Sequence, residues 1–515
     1  MFLNSLRSKP SGGRKAVRMQ EDSACIGGMA RTARCVAALP GNLVAGGHVR
    51  AVVEKFLATR PELVSICCDA VGSVEAAPGP TELALDALRK DLATHWQTSD
   101  LGPVANGDCT SPIRAGLLAA WAAKAGDPGA TAVAWLRTGA PAGILTDPLL
   151  AGVFPLAEIK PGEVLDPEAL DPDIDGFVNY SGIDTDDEVL AQITEFTSKG
   201  FLKKFSDLEA CTTFLGAPPH LSRFGAITKV RNGKIKKRII LDVKQSRIKE
   251  CTRKVHRVPL PKVTDVAFDV LDSIAKQEIV PGEGIELLVL DFEDAFWNIP
   301  LAVSERRFFV GRLRGDFYVF LRAAQGSRNG PLAWAGVISL VMRLVQSAFW
   351  EYGRCPVRLN TYVDDPLAMI RGTQEARRHR TAILILLWRA LGLPLSFRKG
   401  SMGPSVAWIG LVVAVQTRGV DVTISAARHL RALDPHRRGP RAQRVEPEMV
   451  AELRRQGEQL RVHFGLLATL LAVLVGRNLF GRVRGCPSQL HMEAPSPSLS
   501  AVDLGLSARP AGRHA

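Results

Sequence analysis

The sequence predicts an α+β chain with antiparallel strand pairing and a mainly α region ahead of it. Three observations predict this. In LNTYVDDPLAMI, residues 359–370, apolar residues flank a polar centre, which reads as strand, tight turn, strand. Arg231-Asn232-Gly233-Lys234 stands between Ala226–Val230 and Lys236–Asp242, and Asn-Gly between β-prone runs signals a hairpin. Glu82 to Leu92 has its apolar residues at helical spacing.

The chain has 515 residues, enough for two to four domains. Its net charge of +13 suggests a polyanionic partner, nucleic acid rather than membrane. The nine cysteines, Cys25, Cys35, Cys67, Cys68, Cys109, Cys211, Cys251, Cys355 and Cys486, show no CxxC or Cys/His spacing. No zinc knuckle is expected, and the odd count in a large chain argues for reduced thiols inside a cell, with nucleus and cytoplasm both open. The start, MFLNSLRSKPSGGRK, lacks the apolar core of a signal peptide. The run Phe464 to Val475 is too short to span a bilayer and reads as a buried helix.

Taken in order, residues 1–40 are Gly-, Ser- and basic-rich and read as a disordered arm. Residues 41–160 are Ala- and Leu-rich. Helices are expected at Glu82–Leu92, Ile113–Ala123 and Ala130–Leu136, and Gly139-Ala140-Pro141-Ala142-Gly143 then turns the chain. Residues 161–190 form an acidic, Pro-containing linker. Asp171 to Gly176 mimics half of a calcium loop, but the twelfth position is Gly182, where a bidentate Glu is needed, so calcium is set aside. Leu332 to Phe349 reads as an amphipathic helix opened by Pro331, and Ala382 to Leu393 as a buried one.

The chemistry is carried by carboxylates. A hairpin tip can aim Asp364 and Asp365 at one point, which a mid-strand pair cannot do because neighbours alternate faces. An exposed acidic turn is the commoner fate of Asp-Asp. The balance changes at Leu287-Leu288-Val289-Leu290-Asp291, a strand-like run that ends in a third carboxylate. A strand delivering one acid and a hairpin delivering two is a layout for two-metal phosphoryl transfer, with Mg²⁺ suited to hard oxygen ligands.

LDFEDAFWNIPL, AAQGSRNGP, TYVDD, Lys399 and Trp408-Ile409-Gly410 occur in this order. They resemble motifs A to D and the primer grip of reverse transcriptases of the retroviral and LTR-retroelement type, over roughly residues 200–425. The resemblance implies a right-hand polymerase. Residues 191–285 hold the fingers and the start of the palm, and residues 286–425 the palm with its antiparallel sheet. An Arg-rich, partial thumb covers 426–485, and 486–515 is a disordered tail. It implies two Mg²⁺ ions, with Mn²⁺ as an alternative, on Asp291, Asp364, Asp365 and the backbone carbonyl of Phe292. Lys229 and Arg238 match residues that grip a triphosphate, and Gln325 and Gly326 match nucleotide-contacting residues. Phe296 matches a ring that excludes a 2′-hydroxyl. Lys399 matches a general acid near pyrophosphate, and Trp408, Ile409 and Gly410 match the hairpin that holds a primer end. Asp242 matches a structural acid, and Asp294 is expected to be structural or adjacent to the sugar, not a metal ligand. The implied partners are an RNA or DNA template with its primer and deoxynucleoside triphosphates, with no membrane; the oligomeric state is left open. No RNase H, integrase or protease motif follows. The implied function is RNA-directed DNA polymerisation. The alternative is a truncated or domesticated relic that binds nucleic acid without polymerising.

Overall fold

The structure is a computed structural model. It describes residues 40–424 apart from 76–78, 151, 159–163, 171–173, 175, 232–233, 276–280, 324–325, 352–353 and 418. The arm before Pro40, most of the calcium-loop mimic, the Arg-rich thumb region and the tail therefore lie outside the described residues, as does the Phe464–Val475 run. Among the described residues no helix is long and apolar enough to cross a membrane.

The described residues open with a helical layer: α1 (Pro40–Ala58), α2 (Glu62–Ala70) and α3 (Glu82–Trp96). Thr81 starts α3 by accepting the backbone N–H of Ala84, and Gln97 ends it in the left-handed region. Its buried residues Leu85, Leu88, Leu92 and Trp96 fall on one stripe, as the spacing predicts. A short hairpin, β1 (Val104–Asn106) and β2 (Cys109–Ser111), leads to α4 (Ala115–Ala125) and α5 (Ala134–Thr138).

The middle of the chain supplies α6 (Asp187–Ser198), β3 (Leu202–Phe205) and α7 (Leu208–Leu215). A long hairpin follows, β4 (Arg223–Arg231) and β5 (Lys234–Asp242), paired antiparallel from Arg223↔Asp242 to Arg231↔Lys234. Then come α8 (Ile248–Cys251), α9 (Val263–Ala275), β6 (Glu283–Val289), β7 (Val310–Leu313) and β8 (Asp316–Phe320). The last described part holds α10 (Gly330–Ser347), β9 (Val357–Tyr362), β10 (Asp365–Thr373) and α11 (Gln374–Ala390). It closes with β11 (Ser401–Gly403), β12 (Ser405–Trp408), β13 (Leu411–Gln416) and β14 (Gly419–Ile424).

The central sheet has the order β11-β6-β10-β9, antiparallel throughout. It is covered on both faces, which explains why β6 and β10 read as continuous apolar runs. Leu288, Ala368 and Ile370 join the large core with α10 and α11. Their neighbours Leu287, Val289, Leu367 and Met369 point the other way, into a core shared with Val263, Val266 and Val270 of α9 and with Trp408 and Val413. A one-residue slip would exchange the two sets, so the packing pins the register that places the acids. A three-stranded sheet, β12-β13-β14, closes that far face, and another, β3-β8-β7, builds a separate core with α6 and the long hairpin. This is the α+β architecture expected, with antiparallel sheets and helical backing.

Helix α10 departs from expectation. Its spacing predicts an amphipathic helix, yet every residue except Pro331 is buried. The sheet lies on one side and the N-terminal layer on the other, and a helix enclosed all round needs no polar face. The layers approach closely: a Cβ on Gly46 of α1 would sit 2.4 Å from backbone carbon of Ser347. Between them, Arg343 makes a bidentate pair with Asp127, Nη2 to Oδ1 at 2.7 Å and Nε to Oδ2 at 3.0 Å. Both side chains are sealed, at 1% and 0% exposure. Arg343→Met strands a buried carboxylate and is expected to cost about 3–5 kcal/mol in urea denaturation. Adding Asp127→Leu should recover most of that loss. A single-variant cost below about 1 kcal/mol would refute the assignment.

Candidate active site

The β9–β10 turn is Val363-Asp364, closed by the pair Tyr362↔Asp365. Val363 has φ of +61°, a region that β-branched residues strongly avoid. Only the first loop residue has positive φ, so the turn is of the kind that normally takes Gly there. Its strain is held by three hydrogen bonds to consecutive carbonyls. The Trp334 indole donates to Val363 O at 2.7 Å, the Phe292 amide to Asp364 O at 2.8 Å, and the Trp408 indole to Asp365 O at 3.0 Å. Strain that persists because its surroundings over-determine it is a mark of functional sites.

Asp291 follows β6 and is 8% exposed. The Ser396 amide donates to its backbone carbonyl at 2.9 Å, and Phe292 bridges Leu395. The Phe292–Asp364 bond joins this strand end to the hairpin tip, so Asp291, Asp364 and Asp365 share one end of the central sheet. The electrostatics record this crowding. Burial, then the Asp291 charge, holds the Asp364 carboxyl above its ordinary range, opposed by Lys399 and Arg238. Asp365 is pushed up to about 6 by burial and by the charges of Asp364 and Asp291. The charge of Arg238, on β5, thus also acts on Asp364.

Lys399 sits in a 3₁₀ turn, Phe397–Lys399, and its ammonium spans both Asp291 oxygens at 2.7 and 2.8 Å. Among the described residues no three carboxylates, imidazoles or thiols converge closely enough, as they stand, to hold a metal ion. The donor set nonetheless fits one. The donors are hard oxygens, two of the acids resist ionising beside each other, and a lysine cation already lies on the third.

Phe296 is half-buried in the 3₁₀ turn Ala295–Asn298, against the large core. Asp294 opens that turn at φ +51° and pairs with Lys199 at 3.3 Å on the surface. Gly326 has φ of +109°, and a Cβ there would meet Leu241 O of β5 at 2.7 Å, so only glycine fits. Gln325 and the Lys229 side chain lie outside the described residues. Trp408 is 2% exposed, edge-on to Tyr362, while Ile409 at φ +43° and Gly410 at φ +86° form the β12–β13 turn. The indole at this hairpin therefore braces the Asp365 backbone from inside the core. Asp242 accepts the Tyr180 hydroxyl at 2.6 Å and the amides of Lys244 and Gln245, which fixes the base of the long hairpin.

Two supports escape a reading of the sequence. Trp334 carries no motif. Glu305, fully buried, accepts the amides of Ala142, Ile144, Leu145 and Thr146. The turn Gly139–Gly143 is the signal that could have found it, since such turns cluster backbone N–H groups.

Residues 230–413 match the family model described as reverse transcriptase (RNA-dependent DNA polymerase). Solved structures that resemble the chain include foamy viral protease-reverse transcriptase dRH in complex with double-stranded DNA. There the identity is 12%, the TM-score 0.36, and the match covers 56% of this chain and 43% of that one. The same foamy viral protein in complex with dsDNA matches at 12% identity and TM-score 0.35, over 58% and 53% of the two chains. In complex with an RNA/DNA hybrid it matches at 13% identity and TM-score 0.35, over 58% and 34%. The chain thus spans about half or less of those proteins' length. No curated protein matches it. The stretch that matches the family model holds Asp291, Phe296, Asp364, Asp365, Lys399 and Trp408, and it is a reverse transcriptase domain.

Proposed function

We propose that the chain is an RNA-directed DNA polymerase that adds deoxynucleotides to a primer 3′-hydroxyl. The observation that carries this reading is the gathering of Asp291, Asp364 and Asp365 at one end of a sheet, crowded enough to push Asp365 up to about 6. These acids and the Phe292 carbonyl would hold two Mg²⁺ ions, with Mn²⁺ as an alternative, which would supply Lewis acidity at the attacking hydroxyl and at the leaving pyrophosphate. The chain's residues do the rest. Arg238 and Lys229 grip the triphosphate from the long hairpin, and Gln325 and Gly326 position the nucleotide. The Phe296 ring lies under the sugar, and the Trp408–Gly410 hairpin steadies the primer end. Once it leaves Asp291, Lys399 can protonate pyrophosphate as a general acid.

The test is extension of oligo-dT on poly-A with Mg²⁺, offering dTTP or UTP. Extension with dTTP alone is the expected result. Absence of extension with nucleic-acid binding intact would refute it and leave a binding relic. Phe296→Ala tests the gate. Removing the ring opens space for a 2′-hydroxyl, and discrimination against UTP should fall by roughly 10²-fold, about what shape exclusion of one hydroxyl achieves. Unchanged dTTP/UTP selectivity in single-nucleotide kinetics would remove Phe296 from that role.

A further inference from the structure

We propose that Lys399 is a built-in placeholder cation: its ammonium holds Asp291 while no metal is bound and must leave that carboxylate before a divalent ion can load. This rests on the metal-dependent reading above and adds a loading step to it.

The backbone around Lys399 is fixed on both sides. Upstream, Ser396 donates to Asp291 O and Leu395 bridges Phe292. Downstream, β11 pairs with β6 in the register Ser401↔Val289. Gly400 has no room for a side chain, because a Cβ would lie 2.8 Å from Leu290 Cδ2 and 2.9 Å from Phe397 O. The base of Lys399 is therefore tied to the strand that carries Asp291.

Its side chain is not. At 64% exposure it stands mostly in water, while the carboxylate it meets is 11% exposed. An exposed ammonium leaves an ion pair at little cost, since water solvates it and the long stem regains freedom. A buried carboxylate keeps its need for a counterion. The pair is thus asymmetric: Asp291 requires a cation and Lys399 can do without an anion. Because the ammonium engages both Asp291 oxygens, an arriving metal competes with it directly. Loading the metal then frees, near the reaction centre, the group suited to protonating pyrophosphate. Metal binding and the readiness of the acid become one event.

The experiment uses the full chain and Mn²⁺ as the probe. Free Mn²⁺ is followed by electron paramagnetic resonance, and Lys399 acylation by an amine-reactive reagent is read by peptide mass spectrometry, with exposed Lys90 as internal reference. Labelling of Lys399 should rise several-fold as Mn²⁺ saturates, while Lys90 stays constant. Lys399→Met should bind Mn²⁺ about tenfold tighter, the effect of removing one nearby charge, and Lys399→Arg should not. Constant Lys399 labelling while Mn²⁺ binds would overturn the placeholder and leave the polymerase reading standing. Tighter binding in both variants would also overturn it, because it would show that occupation by a cation is not what competes. Absence of Mn²⁺ binding in wild type and in Lys399→Met would overturn both readings together.

Discussion

Asp364→Asn is expected to cut primer extension on the order of 10³-fold or more, a loss typical of removing charge that acts on the transition state. The same substitution should raise the melting temperature of the metal-free chain. The two effects have one cause. Burial and the neighbouring Asp291 disfavour ionised Asp364 in the folded state. A carboxyl whose titration is raised by folding binds more protons folded than unfolded, so stability falls as pH rises. The penalty is absent below the ordinary carboxylate range and complete above the raised one. Asp365 gives the window. Asp365→Asn should match wild type below about pH 4 and exceed it in stability above about 6. The groups facing Asp365 are Asp364 and Asp291, which repel it, and Lys399, which does not fully compensate. Thermal melts with a chelator across that range measure this. An asparagine variant that melts lower at neutral pH would show that the acids are not in conflict. An Asp364→Asn enzyme that still extends primers would remove Asp364 from the metal set.

What the sequence reveals and what it hides follow one physical line. The β9–β10 hairpin, the strand into Asp291 and the Asn232-Gly233 hairpin are legible because their causes lie within ten residues: alternation, turn chemistry and apolar runs. The strain in Val363 and Ile409 is not legible, because a β-branched residue argues against positive φ, and at the acidic turn it is held by distant donors, the Trp334 and Trp408 indoles and the Phe292 amide. The enclosure of α10 is hidden because its second covering layer is contributed by residues some two to three hundred positions away. The ion pair of Lys399 with Asp291 is hidden for the same reason: its partner is set by the pairing of β11 with β6, not by local pattern.

Glu305 is the strongest case of such long-range dependence, and its removal should do the most structural damage. One buried carboxylate satisfies four backbone donors of the segment 142–146. Ala142 and Ile144 are themselves buried, so water cannot replace it. Each buried amide left unpaired costs about 1–3 kcal/mol, so Glu305→Ala should lose about 4 kcal/mol or more even with partial relaxation. Glu305→Gln keeps the volume but puts an NH₂ group against amide donors, and should recover only part of the loss. The damage should reach the loop proposed to position the nucleotide. Asn329 donates to Ala142 O and Arg253 O, Arg328 donates to Thr252 O, and Gly143 packs so closely that a Cβ would meet Asn329 Nδ2 at 2.4 Å. The turn that Glu305 gathers therefore props the start of α10 and, through it, the residues next to Gln325 and Gly326. Urea denaturation reads the stability, and hydrogen exchange reads whether amides 142–146 lose protection first. In the Gln variant, a raised KM for nucleotide at nearly constant kcat would show that the prop acts on nucleotide positioning rather than on the acids. A Glu305→Ala protein within about 1 kcal/mol of wild type, with those amides still protected, would mean that the segment holds itself without the carboxylate.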